Sequence, residues 1–434
     1  MSRCPNLSAR IFPCLVMVAV AGCSDHDVGE APSVFSESTT FRATVRASAD
    51  NTLAVPTALP RATCSLRLQG TEEVPGQSLD LHSDAAGRVS FHFVPRAAGV
   101  VAREVLDCVD AHGATASSSI ELRSAADAPA LVAPAPSGLV RPPLAETSLE
   151  LPIAELVARG YPPRPDASSS PQAYQSWLEL VSRPSTRVPV TLIENQHHAD
   201  TATPNWAGYA VQGHRPYVLT TGNWTIPSVS GEFGNGSLQT DYSSLWVGVG
   251  GYNTNGGDLW QGGTEQDVSC QQLLGCHVSL FPWVELPAIQ SQIEFFGFDL
   301  AAGHQFTASV WVGDVAGNPT INGAYAWWYI DNATLQISSL GNQPIPSSVH
   351  MNGGSAEWIV ERTLVTGGLP HLANFGSAQI SNAQALDSRG TWRFYGNDRP
   401  IQLGMYNSSN NNKKLASASQ ANASTLTLTW LAFF

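Results

Sequence analysis

The sequence predicts an all-β protein whose C-terminal half is one large antiparallel β-sandwich. Runs with a two-residue period recur from Asn205 onward, as expected of strands that bury one face. Almost no helical period interrupts them, and every tryptophan of the chain except Trp177 lies in this part. Residues 203–434 are therefore predicted to form a sandwich or jelly roll with an aromatic-rich core. The clearest runs cover residues 217–226, 245–249, 277–285, 305–312, 325–337, 355–361 and 425–433.

The N-terminus has the pattern of an export signal. Arg3 and Arg10 precede an apolar run that is too short for a stable membrane span, so residues 1–22 are interpreted as a signal peptide. The small residues before Cys23 resemble the lipobox of bacterial lipoproteins, in which the cysteine is lipidated. We therefore expect an exported protein, anchored to the outer membrane or cell surface through Cys23 and a polar tether at 23–39. An ordinary signal peptide cut elsewhere is the alternative, and release after processing stays open.

Residues 40–125 contain short alternating runs separated by turn residues, which predicts a small immunoglobulin-like β-sandwich. No catalytic constellation is visible in it, so a role as spacer or adhesion module is favoured. Residues 126–148 are rich in Pro and Ala and are interpreted as a linker. Residues 149–202 contain two predicted helices, at 149–159 and 171–181, the second opening on a Ser-Pro pair.

Four cysteines remain beyond Cys23, and they fall into two regional pairs. In an exported chain this predicts the disulfides Cys64–Cys108, which we expect to tie the two small sheets together, and Cys270–Cys276. No metal site is expected, because the cysteines have no metal-binding spacing and His197-His198 lacks a third ligand nearby.

Charge limits the choice of partners. The formal net charge is −13 and only 13% of residues are charged, with lysine found only at positions 413 and 414. Nucleic acid is excluded as a partner, because no basic stripe is present to neutralise phosphates.

Two stretches carry the candidate chemistry. On a strand through residues 353–362, Glu357 and Glu361 share one face, and a carboxylate on a core-side face is costly unless it is needed. On a strand through residues 258–265, Gln261 and Glu265 share one face. A carboxylate and a carboxamide on facing strands can hydrolyse an amide: one takes a proton from water, and the other donates hydrogen bonds to the carbonyl oxygen.

The order of six motifs resembles that of the glutamic peptidases, or eqolisins. The motifs are Asn205-Trp-Ala-Gly-Tyr209, Trp224-Thr-Ile-Pro227, Leu245-Trp-Val-Gly-Val-Gly250, Leu259-Trp-Gln-Gly-Gly263, Trp283-Val-Glu285 and Ala356-Glu-Trp-Ile-Val-Glu361. The resemblance implies a concanavalin-like sandwich of two antiparallel seven-stranded sheets and an acid-acting endopeptidase. It also implies polypeptide substrates and no cofactor, and we expect a monomer.

The resemblance also assigns site residues. The family's catalytic pair is similar to Gln261 and Glu361, whereas the residues alone do not choose between Glu361 and Glu357. Three further residues match positions that line the family's cleft: Trp246, Trp283 and Glu285. Glu265 falls where the family usually has Asp, and we expect all four to bind substrate. Gly250 departs from the family, which has an acid there. Residues 149–202 resemble the pro-region of bacterial members, and we expect them to occupy the cleft at neutral pH and leave in acid.

Two other functions compete with a peptidase. The same sandwich serves lectins, so a non-catalytic carbohydrate- or protein-binding lipoprotein is the main alternative. A glycoside hydrolase would need two facing carboxylates, for which Glu361 with Glu265 or Glu285 are candidates. Serine and cysteine hydrolases lack support, because there is no G-x-S-x-G motif and the cysteines form pairs.

Overall fold

The structure is a computed structural model that describes residues 40–46, 51–57, 59–68, 79–83, 87–95, 97–126, 138–195, 197, 203–213, 215–233, 238–252, 259–271, 275–321, 323–365, 368–407 and 413–434. The predicted signal peptide, Cys23 and the tether at 23–39 lie outside these residues, as do residues 127–137 of the predicted linker. Within the described ranges, no helix combines the length and apolar character needed to cross a membrane.

The described elements are almost all strands. The first group is β1 (Thr40–Arg46), β2 (Asn51–Pro56), β3 (Thr63–Leu68), β4 (Leu79–His82), β5 (Arg88–Pro95), β6 (Val101–Val109) and β7 (Thr115–Ala125). The next is β8 (Leu139–Arg141), α1 (Ile153–Ala158), α2 (Pro171–Val181), β9 (Ser185–Arg187) and β10 (Thr191–Glu194).

The strands of the large sandwich follow. They are β11 (Trp206–Val211), β12 (Tyr217–Thr225), β13 (Gln239–Val249), β14 (Trp260–Gln271), β15 (Gly275–Glu285), β16 (Ile293–Phe296), β17 (Gln305–Gly313), β18 (Tyr325–Asn332), β19 (Ile337–Pro344) and β20 (Ala356–Glu361). The last are β21 (His371–Leu372), β22 (Ser377–Asp387), β23 (Trp392–Phe394), β24 (Ile401–Leu403), β25 (Met405–Asn407), β26 (Lys413–Asn422) and β27 (Thr425–Trp430).

These strands form three sheets. Sheet A has the order β1-β7-β6-β3-β4. Sheet B has the order β10-β16-β15-β14-β13-β20-β11-β24, with β5 pairing β15 and β2, and β21 pairing β13. Sheet C has the order β25-β26-β27-β22-β12-β17-β18-β19-β9-β8, with β23 pairing β22. Sheets B and C each contain eleven described strands, more than the seven implied by the resemblance, and the additional strands include β2, β5 and β10 in B and β8 and β9 in C.

Sheets B and C face each other across the main core, which confirms the predicted all-β sandwich. Trp358 of sheet B is buried in this core, on the face opposite Glu361 as predicted, and donates its indole N–H to Thr221 O of sheet C at 2.9 Å. Neighbouring residues divide between the faces in the same way in sheet C, where Trp328 points into the core and Trp327 away from it. The large indoles bury much apolar surface while their N–H groups still find acceptors.

The two helices cover the outer face of sheet C. Val157 of α1 and Leu180 of α2 pack in a cluster with Trp311 and Trp327, whose rings stack at 5.7 Å. The expectation that residues 149–202 fill the catalytic cleft is therefore wrong for the helices, because their apolar faces are buried on the opposite side of the sandwich. Strand β8 also lies within the predicted linker, where it pairs with β9 at the edge of sheet C.

The N-terminal strands are not a separate module. Strand β5 pairs with β15 over residues 92–95 and 275–278, so that β2 and β5 extend sheet B while sheet A packs over them. The pairing satisfies backbone groups that an exposed edge of β15 would leave open. Glu104 of β6 reinforces the junction with a buried contact of 2.7 Å to Nε2 of His277. The predicted role as a spacer does not fit this shared sheet.

Both predicted disulfides are present. Cys64 and Cys108 are directly paired residues of neighbouring strands, with Cα atoms 4.0 Å apart. The bond therefore lies within sheet A, and the expectation that it ties two sheets together is wrong. Cys270 and Cys276 close the hairpin between β14, the strand that also carries Gln261, and β15.

Candidate active site

Strands β15, β14, β13, β20 and β11 bring the predicted site residues to the outer face of sheet B. Directly paired residues of neighbouring strands project to the same face, so the register defines rows across the sheet. The first row is Glu285, Gln261, Gly248 and Glu357. The second is Trp283, Gly263, Trp246 and Ile359. The third is Phe281, Glu265, Ser244, Glu361 and Trp206. All six residues predicted for catalysis and substrate binding thus share one face.

Gln261 lies in the first row and is fully buried. Its Nε2 donates a hydrogen bond of 2.8 Å to Oε2 of Glu285, which fixes the orientation of the amide. Its Oε1 is buried and has no hydrogen-bond partner among the described residues. A buried acceptor without a partner is costly, so this oxygen is suited to receive a hydrogen bond from a water or a substrate.

Glu361 lies in the third row and is also buried. Its Oε2 accepts a hydrogen bond of 2.8 Å from the indole N–H of Trp246. Trp246 stands on β13, between the strands of Gln261 and Glu361, and one row from each. Trp206, the register partner of Glu361, meets the Trp246 ring edge to face at 5.0 Å. The candidate pair therefore flanks one tightly held indole.

A second carboxylate, that of Glu357, lies level with Gln261. Only Gly248 separates them in the register, and a Cβ atom there would be 3.4 Å from Oε2 of Glu357. Oε1 of Glu357 accepts a hydrogen bond of 3.3 Å from the backbone N–H of Tyr252. The structure buries Glu357 in the floor of the site, on the same strand face as Glu361.

Glu265 is held by neighbours on two other segments. Thr363 Oγ1 donates to Oε1 at 2.6 Å, and Gln292 Nε2 lies 3.3 Å from Oε2. Burial raises the pKa of Glu265 to about 7, although these hydrogen bonds oppose the shift by favouring the charged form. Glu265 is level with Glu361, and only Ser244 stands between them in the register. Ser244 also accepts the indole N–H of Trp283 at 3.0 Å.

Gly250, where the family has an acid, follows the end of β13. Its φ of 81° lies in the left-handed region, which glycine adopts at much lower cost than residues with a side chain. The departure from the family pattern thus has a local backbone reason.

Sequence reasoning missed a cluster beside Glu265. His197 places Nε2 3.8 Å from Oδ2 of Asp267, and its ring stacks on Phe281 at 5.8 Å and meets Tyr242 edge to face at 5.5 Å. Asp267 shares the face of Glu265 two residues earlier, which was a visible signal. His197 comes from a segment about seventy residues away, and no local spacing announces that contact. His198 lies outside the described residues.

The cluster has the donor set of a cation site. His197, Glu265 and Asp267 each offer a ligand atom, and these atoms lie within 4.8 Å of one another. One imidazole and two carboxylates suit several divalent metals. No metal was predicted from the sequence because His197 is about seventy residues from Glu265 and Asp267, which lie together on β14.

Comparison with known proteins identifies one matching family and several similar solved structures. The model of the Peptidase A4 family matches residues 204–430. Scytalido-glutamic peptidase, solved with a transition state analog inhibitor, aligns at 17% identity and a TM-score of 0.41, covering 56% of this chain and 100% of that one. SCP-B, described as a member of the eqolisin family of peptidases, aligns at 14% identity and a TM-score of 0.37, with the same coverage.

Aspergilloglutamic peptidase from Aspergillus niger aligns at 20% identity and a TM-score of 0.36, covering 44% of this chain and 99% of that one. No curated protein sequence matches the chain.

Proposed function

The chain belongs to the Peptidase A4 family and is a glutamic endopeptidase, and from that premise we propose that Glu361 and Gln261 together hydrolyse peptide bonds in acid. The observation that supports the pair most directly is their placement. A buried carboxylate and a buried carboxamide share one face of sheet B, on either side of the Trp246 indole. Both side chains are held by hydrogen bonds before any substrate arrives, as preorganised catalysis requires.

In the proposed reaction, Glu361 takes a proton from a water molecule as its oxygen attacks the scissile carbonyl carbon. The C–N bond then breaks, and the same proton passes from Glu361 to the leaving amine. The water supplies the hydroxyl of the new carboxyl group, so the carboxylate of Glu361 is regenerated. The indole N–H of Trp246 stabilises the ionised form in which the cycle begins and ends.

Gln261 has two tasks in this proposal. A carboxamide carries two N–H donors and one acceptor oxygen. One N–H is engaged by Glu285, which leaves the other to donate to the oxyanion that develops on the carbonyl oxygen. Oε1 is then placed to orient the attacking water. Because the amide does not titrate, the pH dependence of the reaction falls to the carboxyl groups.

The crowding of carboxyl groups supports acid action. Five acidic side chains share this face of sheet B: Glu265, Asp267, Glu285, Glu357 and Glu361. If all were ionised they would repel one another and the oxyanion in a buried, low-dielectric site. Below the raised pKa of Glu265 that carboxyl is neutral, which lowers the negative charge beside Glu361.

The binding-module alternative fits less well. Sugar-binding sandwiches use exposed aromatic platforms, whereas Trp246 and Trp283 are fully buried here and their N–H groups bond to Glu361 and Ser244. The decisive experiment is cleavage of an unfolded protein from acid to neutral pH by wild type, Glu361→Gln and Gln261→Ala, with the fold checked by circular dichroism. A folded wild type without activity at any pH would redirect attention to glycan binding.

We further propose that the protein is exported, lipidated at Cys23 and made as a precursor. Two disulfides support export, because such bonds persist in oxidising compartments. Labelling cells with a fatty-acid analogue tests the anchor: the protein should take up label, and Cys23→Ser should abolish uptake. Equal labelling of both forms would show that the lipidated residue is not Cys23.

A further inference from the structure

Resting on the proposed function, we propose that Asp267, Phe281 and Tyr242 form a substrate subsite for a histidine or another flat cationic side chain, which His197 of the chain itself occupies. The subsite has an acidic end and two aromatic walls. It lies on the same face of sheet B as the proposed catalytic pair.

The backbone that carries His197 is held at the edge of sheet B. Strand β10 pairs antiparallel with β16 as the edge strand of sheet B. The ladder continues past β10, because Asn195 N donates to Gln292 O at 3.0 Å and Gln292 N donates to His197 O at 3.0 Å. The backbone is therefore fixed at the edge, and the imidazole of His197 reaches Phe281 and Tyr242.

The side chain of His197 is selected by both shape and charge. Its ring lies nearly parallel to Phe281, with an interplanar angle of 24°, and nearly perpendicular to Tyr242, at 83°. Its Nε2 faces Asp267 at 3.8 Å, and the titratable side chains of Glu265 and Tyr242 also lie close to the imidazole. A flat cation gains from the aromatic faces and from the carboxylate, whereas an acidic side chain would be repelled.

The subsite lies next to the row of sheet B that contains Glu361. Phe281 shares the row of Glu361, and Asp267 with Tyr242 forms the next row. That row lies four residues along β14 from Gly263, the register neighbour of Trp246, which is roughly 13 Å at the rise of a strand. A peptide extended along the strands with its scissile bond over Trp246 would therefore reach the subsite with a residue about four positions away.

Occupation by His197 has a kinetic consequence. A substrate side chain must displace the imidazole before it can use the subsite, so the intact chain competes with its own substrates. Replacing His197 should lower KM for peptides with a suitably placed His or Arg, because the side chain that competes with them is removed.

The test uses the full chain with His197→Ala and a set of quenched peptides that differ at one position. His, Arg, Asn or Glu is scanned through the three to five positions on either side of the scissile bond. At one position we expect His and Arg peptides to be cleaved with about tenfold higher kcat/KM than Asn peptides, with Glu peptides slowest. Adding Asp267→Asn should remove this preference, so that His, Arg and Asn peptides are cleaved with similar kcat/KM. Absence of any preference, or a preference that survives Asp267→Asn, would overturn the proposal.

Binding is measured separately from catalysis. A synthetic peptide of residues 188–197 and its His→Ala form are titrated into the Glu361→Gln, His197→Ala double variant by calorimetry, in the presence of a chelator. We expect the histidine form to bind about tenfold more tightly, and this result does not depend on Glu361 being catalytic. Equal affinities would refute the subsite, and so would a histidine preference that appears only when a divalent metal is supplied.

Two further variants cover a failure of His197→Ala to fold. His197→Arg keeps a flat cation in the subsite and should retain the wild-type KM. His350→Ala removes an exposed histidine far along the chain and should not change KM. If His350→Ala lowered KM as much as His197→Ala, a specific role for His197 would be contradicted.

Discussion

The indole N–H of Trp246 donates to the carboxylate of Glu361 at 2.8 Å, across the strand pair β13 and β20. This bond connects the candidate nucleophile-activating group to the strand between it and Gln261. Because both partners are buried, the bond is shielded from water.

We expect Trp246→Phe to reduce kcat by about 10- to 100-fold, because a hydrogen bond to a charged group contributes about 1.5–3 kcal/mol. Phenylalanine keeps an aromatic ring but cannot donate. Steady-state kinetics with a quenched peptide measures the effect. The matched control is Trp260→Phe, which removes an indole N–H that donates to Trp327 O between the sheets. This control should lose stability and keep its kcat, and a similar drop in kcat would show that the Trp246 bond has no special role.

Gly248 leaves space between Gln261 and Glu357. A Cβ atom at this position would lie 2.9 Å from a ring atom of Trp246 and 3.4 Å from Oε2 of Glu357. We therefore expect Gly248→Ala to fold but to displace the indole and lower kcat by at least about tenfold. Gly263→Ala makes the contrast, because its Cβ would lie 2.0 Å from Leu245 O and force the backbone apart. Circular dichroism should show a folded first variant and a disrupted second one; unchanged kcat in Gly248→Ala would be evidence against this packing.

Stability should depend on pH through Glu265. Its pKa in the folded protein is raised to about 7 from an ordinary value of 4.5, mainly by burial. Between these values the folded state binds more protons than the unfolded state, so unfolding free energy falls as pH rises from about 4.5 through about 7. The change attributable to this group is on the order of 3 kcal/mol at most.

Urea unfolding of the Glu361→Gln variant measures this slope without self-digestion. Adding Glu265→Gln should flatten the decline between pH 4.5 and 7, because the amide cannot ionise. An unaltered slope would mean that other groups carry the pH dependence.

The junction between sheets A and B should be a major source of stability. Glu104→Gln replaces the carboxylate that contacts Nε2 of His277 inside the protein, and loss of such a buried polar contact costs about 1–3 kcal/mol. Asp107→Asn on the same strand removes the exposed ion pair with Arg67 and should cost less than about 1 kcal/mol. Unfolding monitored by tryptophan fluorescence, which reports on the large sandwich, separates the two cases. Equal small effects would indicate that the N-terminal strands are a loosely attached module.

The fold class and the face of each site residue could be predicted from the sequence, because a two-residue period determines which side chains share a face. Helix α2 was also predictable, and its bounds agree with the prediction. The register between strands could not be predicted, because which residues lie opposite each other depends on the pairing of strands that are far apart in the sequence. That is why the alignment of Glu357 with Gln261, and of Glu361 with Glu265, emerged only from the structure.

The pairing of strands at the edges of sheet B could not be predicted from the sequence either. Strands β5 and β10 have ordinary alternating or short patterns, and nothing local shows that they will pair with β15 and β16. The contact of His197 with Asp267 follows from the placement of β10 and was missed for the same reason. Conversely, the pairing of Cys270 with Cys276 was predictable, because only six positions separate them.

The central claim is that Glu361, rather than its neighbour Glu357, activates the water. The most direct measurement compares single-turnover cleavage of a quenched peptide in acid by wild type, Glu361→Gln and Glu357→Gln, each shown to be folded. We expect Glu361→Gln to lose activity by at least about 10³-fold, while Glu357→Gln loses no more than about tenfold. The reverse order, with Glu357→Gln inactive and Glu361→Gln active, would contradict it and assign the chemistry to the carboxylate level with Gln261.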